Sequence, residues 1–423
     1  MKENYSFTSQ GFKITDDRVV LHSDLNNFFA SVEMLSNPSL REVPMAVCGN
    51  EKERHGIVLA KNDRAKKYGV KTGETIKSAK EKCRDLVTCS SHYSEYVRYS
   101  RMVRNIYLRY TSRVEPFGID EAWLDVSELS RRFSDTPFER ARLIAQEIKN
   151  VIKNETGLCV SVGISFNKIF SKLASDMKNK GSITAISPDD YKSIVGKLPV
   201  RDLLYVGENT EYLLKQNRLF TLADVSRHSR KYLKELFGKN GENVWDFANG
   251  YDFSPVNEYV AEENGASVSN SRTLPYDITS PEDCENVLFS LCECVTERIR
   301  ARGMTCKRVR VFIRYNDLSG VARQAKRERA TDSVFDIFSD AASLVGKNRN
   351  FEKPVRALGV GLEDLEDARF LQISVFDNLQ KVDFVMDAMK ERYGDGSIQR
   401  ASALVKKELS QFNKKHPAFN HNI

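Results

Sequence analysis

Apolar residues along the first 185 positions fall into two patterns, short near-continuous runs and stretches spaced by three or four. The first pattern predicts strands and the second helices. Val19-Val20-Leu21-His22-Ser23-Asp24-Leu25 reads as a buried strand closed by a carboxylate. Shorter elements follow at Val43 to Cys48, Ile57 to Ala60, Lys61 to Tyr68 and Glu74 to Cys83, and an amphipathic helix spans about His92 to Tyr110. The Pro and Gly of Glu115-Pro116-Phe117-Gly118-Ile119-Asp120-Glu121 place a turn before a strand that runs to Val126. From Phe138 to Lys153, Ile144, Ile148 and Val151/Ile152 recur at helical spacing until Gly157 stops the helix. Leu158, Val160, Val162 and Ile164 then alternate with Cys159, Ser161, Gly163 and Ser165, the pattern of a strand packed tightly against a neighbour. Ile169, Phe170, Leu173 and Met177 give a further helix, which carries Lys168, Lys172 and Lys178. Strands and helices in this order predict an α/β or α+β domain.

Residues 190–253 hold several short helical segments and almost no strand pattern, and Ser254 to Ala266 is acidic and polar like a linker. Mixed structure returns over 267–362, with a helix near Glu282 to Arg302 and strands near Lys307 to Asn316 and Arg356 to Gly361. The rest reads as an appended tail with one helix around Lys381 to Tyr393. A chain of 423 residues exceeds one hydrophobic core, which predicts about two to four domains.

Composition narrows the class. Hydrophobic residues make up 41% and charged residues 29%, and mean hydropathy is −0.46, a globular profile that excludes a disordered chain. No apolar run approaches the ~18 residues of a membrane span, and Met1 to Asp17 is polar, so neither a span nor a cleaved leader is expected. Eight cysteines form no Cys-x-x-Cys pair, and none of the six histidines lies near Cys292 and Cys294. Reduced thiols in the cytoplasm fit better than a disulfide frame or a zinc site. The net charge of +7 says little until it is located.

Asp24 at a strand end and Asp120-Glu121 at the opening of another carry the candidate chemistry. A buried lone carboxylate is costly, and a divalent cation is an economical partner for several of them. Mg²⁺ favours a few carboxylates plus phosphate and water oxygens. Two such ions can activate an attacking oxygen and stabilise a leaving one. The alternative is that these acids only end strands at a solvated edge.

The residues around the acids decide. Ser23-Asp24-Leu25-Asn26-Asn27-Phe28-Phe29-Ala30-Ser31-Val32-Glu33, then Ala60-Lys61-Asn62-Asp63-Arg64-Ala65-Lys66-Lys67-Tyr68-Gly69-Val70, then Ile119 to Asp125, are similar to motifs of the Y-family DNA polymerases, most closely the bacterial members. Val162 to Lys168 and Ala174 to Lys178 continue the match in the same order, and the resemblance covers about residues 18–365. No GxxxxGK[ST], GxGxxG or HExxH motif competes with it. It implies an α+β multidomain right-hand polymerase: a ferredoxin-like palm (1–28 and 92–185), small fingers (29–91), a helix-hairpin-helix thumb (186–254), a linker (255–266), an α/β little finger (267–363) and a tail (364–423).

By that resemblance Asp24 and Asp120 would bridge two Mg²⁺ ions, the Leu25 carbonyl would help hold one, and Glu121 would sit at the ion that activates the primer 3′-hydroxyl. Adjacent residues on a strand face opposite sides, so Asp120 and Glu121 can serve one site only if the chain bends after Gly118. Asn26 stands where relatives often have an acid, and Gly118 where many have Ser. Phe29 matches the steric gate, a ring that clashes with a ribose 2′-OH, while Phe28 would be mainly core. Asn27, the Phe28 N–H, Lys66, Lys178 and Lys180 are the expected nucleotide contacts. Relatives commonly place a Tyr and an Arg where this chain has Asp63 and Lys66, and a later Lys falls on Asn179. A lysine neutralises phosphate but lacks the bidentate fork of arginine.

DNA contacts are expected in two places. Leu198-Pro199-Val200-Arg201-Asp202-Leu203-Leu204-Tyr205-Val206-Gly207 resembles a helix-hairpin-helix, whose turn would offer the Val206 and Gly207 amides to a phosphate; Tyr205 takes a place often given to Pro or Gly. From Arg298 to Arg329 eleven Lys or Arg face only Asp317 and Glu328, more excess than the whole chain carries. In Arg308-Val309-Arg310-Val311-Phe312-Ile313-Arg314 the arginines share one face, and with Lys326 and Arg327 they would meet the DNA backbone. Gln372-Ile373-Ser374-Val375-Phe376 resembles a peptide for the bacterial sliding clamp, anchored by Gln372, Val375 and Phe376. The expected partners are primer–template DNA, dNTPs and the clamp, with no membrane, and the protein is expected to be a monomer. Two other functions stay open: a non-catalytic DNA- and clamp-binding relative with a decayed nucleotide site, and a palm-type nucleotidyl transferase acting on free nucleotides.

Overall fold

The structure, a computed structural model, describes residues 18–49, 56–131, 136–177, 181–260, 267–350, 352–370 and 380–394, with short pieces at 7–8, 11–12 and 397–398. Two units divide the chain: Met1–Gly49 with Ile57–Tyr259, and Asn50–Gly56 with Val260–Ile423.

In the first unit a two-residue pair, β1 (Phe7–Thr8) with β2 (Gly11–Phe12), precedes the main sheet. The apolar run at Val19 forms β3 (Val20–Leu25), followed by α1 (Phe28–Ser36). A small sheet comes next, with β4 (Met45–Cys48), β5 (Val58–Lys61), α2 (Asp63–Lys67), α3 (Ile76–Lys82) and β6 (Val87–Ser90). Its strand order is β5-β4-β6, over a core that includes Val58, Ala65, Val70 and Ile76.

The chain then returns to the main sheet through α4 (Tyr93–Tyr107), β7 (Val114–Pro116), β8 (Glu121–Asp125), α5 (Ser127–Arg131), α6 (Pro137–Thr156), β9 (Val160–Ser165), α7 (Lys168–Asp176) and β10 (Ile183–Ile186). The strand order β10-β9-β3-β8-β7 puts β3 at the centre. Gly157 caps α6 with φ 74, as its stop signal predicts. Alternation along β3 sorts its two faces. Leu21 and Leu25 join the core under α4 and α6, and Ser23 accepts from the Tyr107 hydroxyl at 2.8 Å. His22, on the opposite face, meets Ser175 of α7. The alternation read in β9 does not separate buried from exposed, because all six residues are buried. Gly163 shows why: an added Cβ would stand 1.9 Å from the Ser171 carbonyl oxygen, so α7 lies directly on the strand.

Four helices complete the unit: α8 (Tyr191–Val195), α9 (Glu208–Gln216), α10 (Leu222–Arg227) and α11 (Arg230–Ala248), the last broken at Gly238. They pack around Leu203, Leu214, Leu222 and Leu233. The segment read as a polar linker begins later than expected. Val256 is buried against Val20 and Trp123, and the Tyr259 amide donates to the Ser112 carbonyl. Arg18 also donates to the Ser254 carbonyl and the Asn257 amide to Glu115, so an apolar anchor and several hydrogen bonds hold this stretch to the first unit.

The second unit is a four-stranded antiparallel sheet of β11 (Ser267–Ile278), β12 (Met304–Tyr315), β13 (Gly320–Thr331) and β14 (Val355–Asp367), ordered β11-β14-β12-β13. Helices α12 (Pro281–Arg300) and α13 (Val334–Asn348) share one core with Val309, Val311 and Ile313. The sequence reading found the two central strands and missed β11 and β13. Both are edge strands, β11 polar and β13 charge-rich, and such compositions resist pairing with a second chain and hide the apolar alternation. Strand β14 runs to Asp367, past the expected domain end.

The last helix, α14 (Gln380–Tyr393), is no loose tail. Asp387 receives two bonds from the Arg300 guanidinium, Asp383 accepts the Val334 amide, and Met386 is buried. A polar docked face of this kind gives no amphipathic signal.

Candidate active site

Antiparallel pairing of β3 with β8 sets Asp24 directly opposite Glu121, on the face that looks toward α7. Asp120 precedes β8 and would point to the other face of a regular strand. The chain bends instead. Gly118 takes φ 90, a conformation that a side chain strains, the Phe117 amide donates to the Glu121 carbonyl, and the Leu25 amide donates to the Asp120 carbonyl at 3.0 Å. The three acids therefore gather at one end of β3, through the bend that the sequence required.

Their electrostatics differ. Burial, then the charges of Glu121 and Asp120, push the Asp24 carboxyl up to about 7. Burial and Glu121 push Asp120 up to about 6. Neither makes an ion pair among the described residues. Burial also opposes ionisation of Glu121, but His22 and Lys172 outweigh it and hold that carboxyl below its usual range. Lys172 of α7 donates to Glu121 Oε2, and His22 Nε2 lies 3.1 Å from the same oxygen. Burial keeps His22 below the ordinary histidine value.

A divalent cation suits this donor set. Two adjacent, mostly buried carboxylates without a counter-charge are what a hard cation relieves, the remaining ligands coming from substrate and water. The fit is to a pair rather than a finished cage: among the described residues no three of His, Cys, Asp or Glu are grouped to hold a metal ion. Glu121 is drawn to Lys172. Sequence reasoning had both partners in view, His22 in the strand and Lys172 on its helix, but nothing in a linear pattern showed that they meet the third acid.

A cleft of about 280 Å³ opens beside Asp24 and Asp120, lined also by Leu25, Asn27, Phe28, Phe29, Leu59, Ala60, Lys61 and Thr72. Phe28 is buried in the core. The Phe29 ring stacks on Tyr96 with centroids 4.2 Å apart and planes 11° from parallel. Stacking of this kind contributes about 0.5–1.5 kcal/mol beyond area burial. Behind it, Tyr96 donates to the buried Glu33, which His92 also approaches at 3.0 Å. The Phe29 ring thus rests on a braced support that the motif alone did not show.

Asn27 adopts a left-handed backbone, φ 51, at the start of α1, and its Nδ2 donates to Asp63 Oδ1 at 3.2 Å. Lys66 is exposed on α2 and is not among the residues lining the cleft. Lys61 and Thr72, which sequence reasoning passed over, do line it. Lys178 and Lys180 lie outside the described residues, as do Gln372, Val375 and Phe376.

The expected DNA contacts are rearranged by pairing. In the turn before α9, Tyr205 takes φ 68, the left-handed conformation for which glycine is the usual choice. The Val206 amide donates to the Leu203 carbonyl, so it is spent within the turn, while Gly207 is exposed at the start of α9. On the four-stranded sheet, Arg308, Arg310, Phe312 and Arg314 are ranged on one open face, as the alternation requires. Acids remote in sequence meet the first two. Asp364 accepts from Arg308 at 2.9 and 3.0 Å, and Glu363 from Arg310 at 3.4 Å. Arg327 reaches the α13 side instead, where Asp340 and Asp336 hold it at 2.5 and 3.5 Å, which removes it from the open face. Arg314 and Lys326 are exposed there without an ion pair among the described residues. The local excess of positive charge is therefore smaller in space than in sequence.

Residues 23–176 match the impB/mucB/samB family, and residues 266–375 match the C-terminal domain of that family. A DNA polymerase IV of Acetivibrio thermocellus is 43% identical over 401 residues, 93% of this chain and 99% of that one. A DNA polymerase IV 1 of Bacillus subtilis is 33% identical over 410 residues, 94% of this chain and 97% of its own. A solved structure, the Y-family DNA polymerase chimera Dbh-Dpo4(243-245)-Dbh, matches with a TM-score of 0.74 at 23% identity, over 82% of this chain and 98% of that one. At that identity the structural match speaks to the fold.

Proposed function

Because this chain belongs to the impB/mucB/samB family of Y-family DNA polymerases and is close to bacterial DNA polymerase IV, we infer that it is a translesion DNA polymerase. It extends a primer 3′-hydroxyl with dNTPs on a DNA template and uses a divalent metal. The observation that carries the reading is the largely buried pair Asp24 and Asp120, without an ion pair of its own among the described residues, beside a cleft that also presents Phe29. A non-catalytic relative would have no reason to keep that costly pair.

Two Mg²⁺ ions are the proposed cofactor, held by Asp24, Asp120, the Leu25 carbonyl and Glu121. When bound, they supply activation of the 3′-hydroxyl and charge neutralisation on the phosphates. The 3′-hydroxyl gives up its proton to solvent, its oxygen forms the bond to the α-phosphorus as the bond to the bridging oxygen breaks, and the electron pair leaves on pyrophosphate. Within the chain, Glu121 exchanges its contacts with Lys172 and His22 for the site, and Phe29 excludes a ribose 2′-OH. Low fidelity and lack of proofreading follow from family membership. Recruitment by the bacterial sliding clamp through Gln372, Val375 and Phe376, action as a monomer and a cytoplasmic location belong to the same proposal. Among the described residues no helix is long and apolar enough to cross a membrane.

Primer extension with Mg²⁺ and dNTPs tests the assignment against Glu121→Ala. The wild type extends and the variant falls by about 10³-fold, a loss typical of a group that acts on the reacting atoms. No extension by the wild type, or full activity in the variant, overturns the reading. Deleting Gln372 to Phe376 abolishes clamp stimulation and preserves clamp-free extension; loss of both would make the segment structural.

A further inference from the structure

We propose that Glu33 is a positioning residue for sugar selection: through Tyr96 it holds the Phe29 ring where a ribose 2′-OH meets it, a role that rests on the reading of Phe29 as the sugar check. Phe29 lines the cleft beside Asp24 and Asp120. A clash discriminates only as far as the clashing group resists being pushed aside. A ring that yields by a fraction of its own thickness admits the hydroxyl, so selection depends on what stands behind it. The Tyr96 ring stands there, stacked almost parallel. Stacking by itself resists displacement by about tenfold at most. A steeper preference needs a backing that does not retreat.

Tyr96 is such a backing. It is fully buried, with the Phe28 and Tyr93 rings against it at centroid distances of 6.1 and 6.3 Å. Its hydroxyl accepts from the His92 amide at 3.1 Å and donates to Glu33. Burial, and then the bond to Glu33, push that hydroxyl well above the ordinary tyrosine value, so it keeps the proton it donates. Glu33 lies one helical turn beyond Phe29, on the same face of α1. The helix therefore grips one tyrosine of α4 twice, ring on ring at Phe29 and carboxyl on hydroxyl at Glu33. Both grips belong to one rigid element, so helix geometry sets the distance between them. The His92 ring holds the carboxyl in turn, with Nδ1 3.0 Å from both of its oxygens. A carboxyl as buried as this one is costly to keep. Packing alone would be served by apolar residues at both positions, whereas the hydroxyl–carboxyl bond adds a fixed direction.

Steady-state primer extension tests this with Glu33→Ala, Glu33→Gln and Tyr96→Phe, and with Glu33→Ala and Tyr96→Phe each combined with Phe29→Ala. The readout is the ratio of kcat/KM for a ribonucleotide to that for the matching deoxyribonucleotide, with the deoxyribonucleotide value followed alongside. Glu33→Ala raises the ratio by about tenfold, and Tyr96→Phe, which removes only the hydroxyl, by about fivefold. In both, kcat/KM for the deoxyribonucleotide changes by less than about threefold. Glu33→Gln keeps an oxygen for the hydroxyl and stays within about twofold of the wild type. Combined with Phe29→Ala, Glu33→Ala adds less than about twofold, because it acts only through that ring. An unchanged ratio in Glu33→Ala overturns the proposal, including the case where both efficiencies fall together, which is the result of a merely structural role. A rise of equal size when Phe29 is already alanine overturns it as well. Should Glu33→Ala fail to fold, the near-isosteric Tyr96→Phe decides by the same ratio, alone and with Phe29→Ala. If Phe29→Ala itself leaves the ratio unchanged, the reading of Phe29 as the sugar check fails, a separate result.

Discussion

Two sheets of this protein carry charge, and they treat it in opposite ways. At the end of β3, Asp24 and Asp120 stand together, mostly buried, and neither forms an ion pair among the described residues. On the four-stranded sheet, half-buried Arg308 and exposed Arg310 both reach solvent yet are met by Asp364 and Glu363 from the next strand. Solvation inverts the intuition about which charges need partners. Exposed arginines would tolerate isolation, because water solvates them and surface ion pairs contribute only ~0–1 kcal/mol. Buried carboxylates would not, because desolvation is costly. A protein that leaves the costly pair unmatched and matches the inexpensive ones holds the first for something that arrives later.

Substitutions can break that contrast. The largest effect is expected at Asp120→Asn. Primer extension falls by about 10³-fold while thermal stability holds or rises by a few degrees, since like-charge crowding is relieved. A variant that loses stability along with activity would show the acids to be structural. Next is Phe29→Ala, which raises the ratio of ribonucleotide to deoxyribonucleotide incorporation by about 10²-fold; an unchanged ratio removes Phe29 from the gate. Arg314→Ala, at a position without an acid partner among the described residues, weakens primer–template binding by about tenfold and lowers the slope of log affinity against log salt by about one. The smallest effects separate paired from unpaired arginine. Arg308→Ala weakens binding by less than about threefold, and Asp364→Asn, which frees Arg308, strengthens it by a similar factor. Equal losses at Arg308 and Arg314 would mean that the pairs open on DNA.

Much of this was legible in the chain. The hydrophobic run at Val19, the stop at Gly157 and the requirement for a bend after Gly118 each rest on local physics, and the structure supplies each one. The positive φ at Gly118 gives a reason for glycine that the motif comparison lacked, and Tyr205 shows the converse, a tyrosine held where glycine would be easier. What stayed hidden depends on contacts between residues far apart. Asp364 is 56 positions from Arg308, so counting charge in a window could not reveal their pairing. Lys172 reaches Glu121 only because a helix folds across two strands. The edge strands β11 and β13 failed for a different reason, since their solubility requires the polar composition that masks a strand.

Gly163 has one more consequence. The helix above it is seated with no room for even a methyl group, and that same helix carries Lys172 to Glu121 and Ser175 to His22. The missing side chain works as a spacer of zero thickness that sets the height of the helix over the sheet. A close-packed interior has no slack to absorb an insertion there. An alanine at this position would lift the reactive end of the molecule out of alignment without touching nucleotide, metal or template, and a genetic screen would score it as a catalytic defect.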